Sequence, residues 1–289
     1  MGGTGKTPFT LLLAKYYMDK GEKVAILSRG YKGKLGYETH LISDGKEILH
    51  APPLAADEPY MMALTLPGVI VVTGKKRIDS YRLAAEKLGA TAFILDDGYQ
   101  HQAMPRDVNI LLLDHKKPFS TGFPFPFGYL REFPSAAKRA DVVVFTRASD
   151  TELPQKVAHY INNKPCFFSN TKYKNFVSSQ GSFPATNIKE KKVWMLSGIA
   201  RPEEFKRSLE ALSAQIIGQS VYRDHHAYKS HELIKEIENA GAKGAEFLIT
   251  TAKDYVKIPP QYAKDFIYPE MEVEMLSEGF LETVDKLLN

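Results

Sequence analysis

The 289-residue sequence predicts an α/β fold: a mostly parallel sheet with helices on both faces, followed by a smaller C-terminal α/β unit. Three observations predict it. Short apolar runs at 24–27, 69–72, 92–95, 108–113 and 142–145 alternate with stretches of helical spacing, the pattern of a buried parallel sheet. The alternation stops in a polar stretch at 164–192 and then resumes. A glycine cluster stands directly before the first helical stretch, the arrangement of a phosphate-binding loop. The expected division is a core at 1–163, a connector with extended segments at 164–192, and a second unit at 193–289.

Taken in order, Gly2, Gly3 and Gly5 can fold tightly and aim backbone N–H groups at an anion. Helical spacing follows to Lys20 and stops at Gly21. Val24–Leu27 is a buried strand ending in Ser28-Arg29-Gly30-Tyr31, and ligands collect beyond strand carboxyl ends in such sheets. Leu41–Leu49 holds a Ser43-Asp44-Gly45 turn and reads as a hairpin. Asp57-Glu58-Pro59 opens a helix. Val69–Val72 is a strand, Arg77–Leu88 a helix with Ile78, Tyr81, Ala84, Ala85 and Leu88 on one side. Ala92–Leu95 is a strand ending in Asp96-Asp97. Val108–Leu113 is a further buried strand, and Pro118–Pro134 a long loop over the site. Val142–Phe145 is a strand and Thr151–Ile161 a helix. Beyond the connector come strand 193–196, helix 202–212, strand 216–222, helix 231–240 and strand 247–250. A final helix is expected at 276–288.

Composition narrows the classes. Hydrophobic residues at 44% and charged residues at 25% are ordinary for a globular chain. The formal net charge of +4 suits a nucleotide, a phospholipid headgroup or nucleic acid, and equally a solvated surface with a slight Lys excess. Cys166 is the single cysteine, so no internal disulfide forms. No signal peptide is apparent, and no apolar run approaches the ~20 residues of a membrane span.

Several groups invite chemistry. Lys6 and Thr7 follow the glycines as in a phosphate loop, with Lys on the β- and γ-phosphates and Thr on Mg²⁺; the first glycine of G-x-x-x-x-G-K-[ST] would precede Met1. The other reading is a Gly-rich lead into a surface helix. Asp96-Asp97 at a strand end fits a carboxylate pair holding Mg²⁺ against phosphates; the other reading is an Asp-Gly turn. Asp57 by itself reads as a helix cap. His225 and His226 beside Asp224 form an acid/base arrangement, and the lack of spaced Cys/His clusters argues against zinc. Arg29, Arg77 and Arg131 stand where guanidinium groups clamp phosphates, although each alone reads as a surface arginine.

Jointly, and in this order, these motifs resemble the tetraacyldisaccharide 4′-kinase family. The matching pieces are GGTGKTP (2–8), LSRGY (27–31), DEP (57–59), TGKKR (73–77), LDDGYQH (95–101), RDV (106–108), GYLRE (128–132), SGIARPEEF (197–205), DHHAY (224–228) and TTAKDYVK (250–257). The resemblance implies a P-loop-NTPase-like kinase core that moves the γ-phosphate of ATP to the 4′-hydroxyl of a tetraacylated glucosamine disaccharide 1-phosphate, giving lipid IVA in lipid A synthesis. It implies that Gly2, Gly3, Thr4, Gly5, Lys6 and Thr7 bind nucleotide, with Lys6 also catalytic, and that Thr7, Asp96 and Asp97 hold Mg²⁺. It implies Asp57 as catalytic base, His225 as its tuning partner, and Tyr31, Arg77, Gln100 and Arg131 as substrate-lining positions. The implied partner is a lipid disaccharide at the cytoplasmic face of a bacterial inner membrane, without nucleic acid and without a transmembrane span in this sequence.

Family members carry a few dozen residues before the loop, forming a membrane-associating helix and the strand that leads into it. Met1 stands where valine is usual, so an in-frame upstream extension is expected in the gene. If residues 1–289 are the complete chain, weak or no ATP binding is expected, and a soluble cytoplasmic protein if the N-terminal segment is truly absent. Two other readings stay open: another phosphate-loop kinase or ATPase with a soluble substrate, and a nucleotide-binding relative with little activity.

Overall fold

The structure, a computed structural model, describes residues 5–161 and 163–288. Helix α1 (Lys6–Asp19) is followed by strands β1 (Val24–Ser28) and β2 (His40–Asp44), helix α2 (Asp57–Thr65) and strand β3 (Ile70–Thr73). Helix α3 (Arg77–Arg82) loosens into a π-helical stretch at Leu83–Lys87. Strands β4 (Ala92–Leu95), β5 (Ile110–Asp114) and β6 (Val142–Thr146) come next, then helix α4 (Gln155–Ile161).

The first sheet has the order β2-β3-β1-β4. β1 lies parallel to both β3 and β4, and β2 covers the edge antiparallel to β3. Val24, Ile26, Val69 and Val71 face Ala14 of α1 and Met62 of α2; Ala25, Leu27, Ile70 and Val72 face Ala84 in the continuation of α3. Burial on both faces explains why these strands read as unbroken apolar runs.

The second half contributes β7 (Cys166–Ser178), β8 (Gly181–Pro184), β9 (Lys192–Ser197), α5 (Pro202–Ala211), β10 (Gln215–Val221), α6 (Ser230–Ala242) and β11 (Phe247–Ile249). Short helices α7 (Ala252–Tyr255) and α8 (Pro260–Ala263), strand β12 (Phe266–Met275) and helix α9 (Phe280–Leu288) complete it. The second sheet runs β10-β9-β11-β12-β7-β6-β5, with β8 hydrogen-bonded to β7.

This sheet crosses from one half of the chain to the other on a two-stranded ribbon. β7 starts parallel to β6 and then runs antiparallel to β12, which itself starts parallel to β11. Lys172 pairs with Glu274 at 2.9 Å and Lys174 with Glu272 at 3.1 Å across the ribbon. The polar stretch at 164–192 therefore holds β7 and β8, and β12 is a strand that the sequence reading did not expect. Helix α9 returns to the first half: Phe280 and Val284 join Phe9, Val142 and Val144 in one apolar cluster. Asp285 accepts hydrogen bonds from Tyr16 at 2.5 Å, Tyr17 at 3.1 Å and Lys20 at 2.7 Å.

The two sheets do not join. Among the described residues β4 pairs only with β1 and β5 only with β6. A cavity of about 1020 Å³ separates them, lined by Phe93–Leu95 on one side and Ile110–Asp114 on the other. β5 is therefore half-buried along most of its length, although the sequence predicted a buried strand. Among the described residues no helix is long and apolar enough to cross a membrane.

Candidate active site

The site begins where α1 does. Gly5 precedes the helix with φ 75°, a left-handed conformation that glycine adopts without cost. α1 has no acidic residue in its first turn, so its N–H groups and dipole face the site without a competing carboxylate. Lys6 and the half-buried Thr7 lie in that turn. Gly2, Gly3 and Thr4 lie outside the described residues.

Asp96 and Asp97 follow β4 and meet this end of α1. Asp96 is 4% exposed and accepts from Thr10 Oγ1 at 3.3 Å and Ser28 Oγ at 3.2 Å. Burial pushes its carboxyl above the usual range, and the charges of Glu58 and Asp97 push it further. Asp97 has φ 52°, a conformation Asp tolerates better than most residues. Lys6 Nζ lies 3.5 Å from its Oδ1 and Arg131 Nη1 2.5 Å from its Oδ2. Burial acts to raise the Asp97 carboxyl, yet the two cations outweigh it and hold the group below its ordinary value. Two adjacent acids thus differ in protonation tendency because burial and the charges of Glu58 and Asp97 prevail at one, while Lys6 and Arg131 prevail at the other.

Asp57 and His225 meet from opposite halves of the chain. Asp57 is the first residue of α2, and Ala56 takes the capping position without a side-chain bond. The cap reading of Asp57 is therefore replaced by a tertiary one: its Oδ2 lies 3.1 Å from His225 Nδ1. His225 holds φ 63°, and its N–H donates to Gly198 O at 3.1 Å. Gly198 N–H in turn donates to Asp254 Oδ2 at 2.9 Å. Asp254 is fully buried and is further bound by Thr251 Oγ1 at 2.7 Å and Lys257 Nζ at 2.7 Å. The imidazole is thus braced from α7 through one backbone turn. Beside it, Lys253 of α7 forms an ion pair with Glu58.

Arg77 opens α3 and is 4% exposed; Nη1 donates to Gly74 O, while buried Nε has no hydrogen-bond partner among the described residues. Burial lowers its pKa, and the Arg29 guanidinium adds to that. Tyr31, in the turn after β1, is 63% exposed. Gln100 lines the cavity together with Lys6, Asp97 and Arg131. The structure thus brings Lys6, Asp96, Asp97 and Arg131 into one cluster and Asp57 with His225 into a second, Glu58 lying close enough to both to act on Asp96. Tyr31 stands apart. Sequence reasoning passed over Thr10, Ser28, Glu58 and Lys253. The first lies one turn beyond Thr7 on α1, and Lys253 sits in the TTAKDYVK piece without a role attached.

Among the described residues no three His, Cys, Asp or Glu side chains converge as a metal cage. Mg²⁺ takes few protein ligands and fills its shell with water and phosphate oxygens. The carboxylates of Asp96 and Asp97, next to Thr10 and Lys6 of α1, are hard oxygen donors of that kind, as is the Thr7 hydroxyl in the first turn of α1, so the residues fit the ion.

The family model described as tetraacyldisaccharide-1-P 4′-kinase matches residues 1–289. The chain belongs to the tetraacyldisaccharide 4′-kinase family. It is 40% identical to the tetraacyldisaccharide 4′-kinase of Desulfotalea psychrophila, over 99% of this chain and 84% of that protein. It is 36% identical to the Geobacter metallireducens kinase, over 100% of this chain and 86% of the relative. Among solved structures it is similar to LpxK from Aquifex aeolicus in complex with ATP, with a TM-score of 0.81 and 30% identity, over 100% of this chain and 86% of that one. The family and the α/β fold are those that the sequence motifs predicted.

Proposed function

We propose that this chain transfers the γ-phosphoryl group of ATP to the 4′-hydroxyl of a tetraacyldisaccharide 1-phosphate at a membrane surface, with Asp57 as base. The Asp57–His225 contact carries this reading, since two halves of the chain converge on one carboxylate next to Glu58, whose charge acts on Asp96 at the α1 cluster. Asp57 accepts the proton of the sugar hydroxyl as the new P–O bond forms and the bond to the β–γ bridging oxygen breaks. With its proton on Nδ1, the His225 ring donates a hydrogen bond to Asp57 Oδ2 and so holds the carboxylate in place.

Lys6, with Gly2, Gly3, Thr4 and Gly5, binds the phosphates, and Arg77 and Arg131 line the acceptor side. Thr7, Asp96 and Asp97 are the residues that would hold Mg²⁺, which when bound neutralises phosphate charge. The low proton affinity of Asp97 keeps it anionic for that role. Gln100 and Tyr31 are assigned to the acceptor path, and the division at 164 and 193 to two units that close on each other.

The test is transfer of labelled γ-phosphate to detergent-dispersed acceptor by the chain and by Asp57→Ala. Labelled 4′-phosphate from the first, with turnover lost and nucleotide binding kept in the second, is expected. Hydrolysis of ATP without transfer, or equal turnover by Asp57→Ala, overturns the reading.

A further inference from the structure

The segment between β5 and β6 carries the largest concentration of exposed aromatic surface. Phe123, Phe125, Phe127, Tyr129 and Phe133 are 58%, 72%, 87%, 66% and 60% exposed. Single exposed apolar side chains are ordinary on a protein surface, but a contiguous group of large ones marks an interaction site. Nothing in the mechanism uses these rings.

The loop has a fixed shape. Phe125 N–H donates to Leu130 O at 3.0 Å, Gly128 N–H to Pro124 O at 3.0 Å and Leu130 N–H to Phe123 O at 3.2 Å. A Cβ at Gly128 would lie 2.2 Å from Phe123 O, so only glycine allows the two limbs of the loop to approach. The rings are thereby held outward instead of collapsing on one another. Pro124 and Pro126 have no N–H. With the internal bonds counted, the tip brings few unpaired backbone donors into an apolar medium, where each costs several kcal/mol.

Charge decides between occupants. The charged residues between 115 and 139 are Lys116, Lys117, Arg131, Lys138, Arg139 and the single acid Glu132. Glu132 is paired with Arg139 at 2.7 Å. Lys116, Lys117 and Lys138 are exposed at the two roots of the loop. Aromatic rings flanked by Lys side chains that form no ion pair among the described residues are the chemistry of a bilayer interface, with rings at the headgroup–acyl boundary and cations on anionic phosphates. A second copy of this loop would bring cation against cation.

We propose that the loop from Phe119 to Phe133 inserts its aromatic tip into the surface of an anionic bilayer and so holds the active site against the membrane. This rests on the lipid-acceptor reading above. The link to the site is direct, because Arg131 of the loop binds Asp97 and Tyr99 OH donates to Ala136 O at 2.8 Å just beyond the loop.

The experiment is co-sedimentation of the full chain with vesicles of phosphatidylcholine alone or mixed with phosphatidylglycerol. The expected result is binding to the mixed vesicles, weakened about tenfold or more in the Phe123→Ser/Phe125→Ser/Phe127→Ser variant at unchanged melting temperature. Lys116→Gln/Lys117→Gln/Lys138→Gln should weaken binding to the anionic vesicles selectively and flatten its salt dependence. Phe127→Trp should show a blue-shifted emission band quenched by brominated lipid. Equal binding by the triple Ser variant, no binding by the parent chain, unquenched indole emission from Phe127→Trp, or self-association through the loop in place of vesicle binding each overturns the proposal. Transfer to detergent-dispersed acceptor separates the two ideas. Intact transfer without vesicle binding removes the loop proposal alone, while vesicle binding without transfer removes the kinase reading alone.

Discussion

His225 Nδ1 lies 3.1 Å from Asp57 Oδ2, and the two residues belong to opposite halves of the chain. The imidazole is held from behind, since Gly198 takes its backbone N–H and Asp254 takes that of Gly198. The contact is thus a consequence of how the halves meet, and any loss of their closure removes it.

The first prediction follows from that contact. Asp57→Asn keeps the shape of the side chain and removes its basicity, so kcat should fall by about 10²–10⁴-fold with ATP affinity unchanged. His225→Gln retains a donor for Asp57 but no ring, and should fall less. Single-turnover transfer set beside nucleotide titration checks both. A parallel loss of ATP binding in Asp57→Asn would mean that the residue serves the nucleotide and not the acceptor.

Asp97 supplies a pH prediction. Its folded-state pKa is held below the ordinary value because Lys6 and Arg131 outweigh burial. For a depressed carboxylate the stabilisation is present above the unfolded pKa and is lost as pH falls through the folded one. Removing the guanidinium in Arg131→Met takes away one of the two cations, so the Asp97 pKa rises and the acid limb of the pH–rate profile moves to higher pH. Arg131→Lys should move it less. An acid limb that stays fixed in Arg131→Met would assign that limb to another group.

The sequence makes the first half of the site legible because its parts are local. A glycine cluster before a helix, and an apolar run ending in Asp96-Asp97, carry their geometry in a few adjacent residues. β12 was missed for the opposite reason. Glu270, Glu272 and Glu274 alternate with Met271, Val273 and Met275, and glutamate is a poor strand former. What makes this segment a strand is pairing with β7, where Lys174 and Lys172 meet Glu272 and Glu274 from about a hundred residues away. Asp57 was similarly ambiguous until His225 stood beside it, and Glu58 was silent without Lys253. The half-exposed β5 looked buried because composition reports the apolarity of a strand and not whether a neighbour covers its edge.

The Glu58–Lys253 pair gives a prediction about closure. Both side chains are about 40% exposed, at 42% and 38%, so the pair contributes only about 0.2–1 kcal/mol to stability. It bridges α2 and α7 beside the Asp57–His225 contact, and it offsets a charge that acts on Asp96. Lys253→Glu should therefore lower kcat well beyond its effect on melting temperature. The swap Glu58→Lys/Lys253→Glu should recover part of the loss, because the bridge is restored with its sign reversed. A double variant no better than the worse single one would limit the pair to a surface role.

The final prediction separates stability from activity at Asp96. Burial, then Glu58 and Asp97, raise its folded-state pKa. Between the unfolded and the raised folded pKa the native state binds more protons than the unfolded one, so stability falls as pH rises through that window. Above that window the ionised carboxylate therefore costs stability, as groups placed for chemistry often do. Asp96→Asn removes the charge, and the rotatable hydroxyls of Thr10 and Ser28 can accept from the amide as well as donate to it. The variant should melt at a higher temperature than the parent chain at pH 7.5 while losing phosphoryl transfer. The gap in melting temperature should narrow as pH falls, because the parent carboxyl then takes up its proton. Thermal melts of both chains across pH test this directly, and a variant less stable than the parent at neutral pH would show that Asp96 is held by interactions worth more than its desolvation costs.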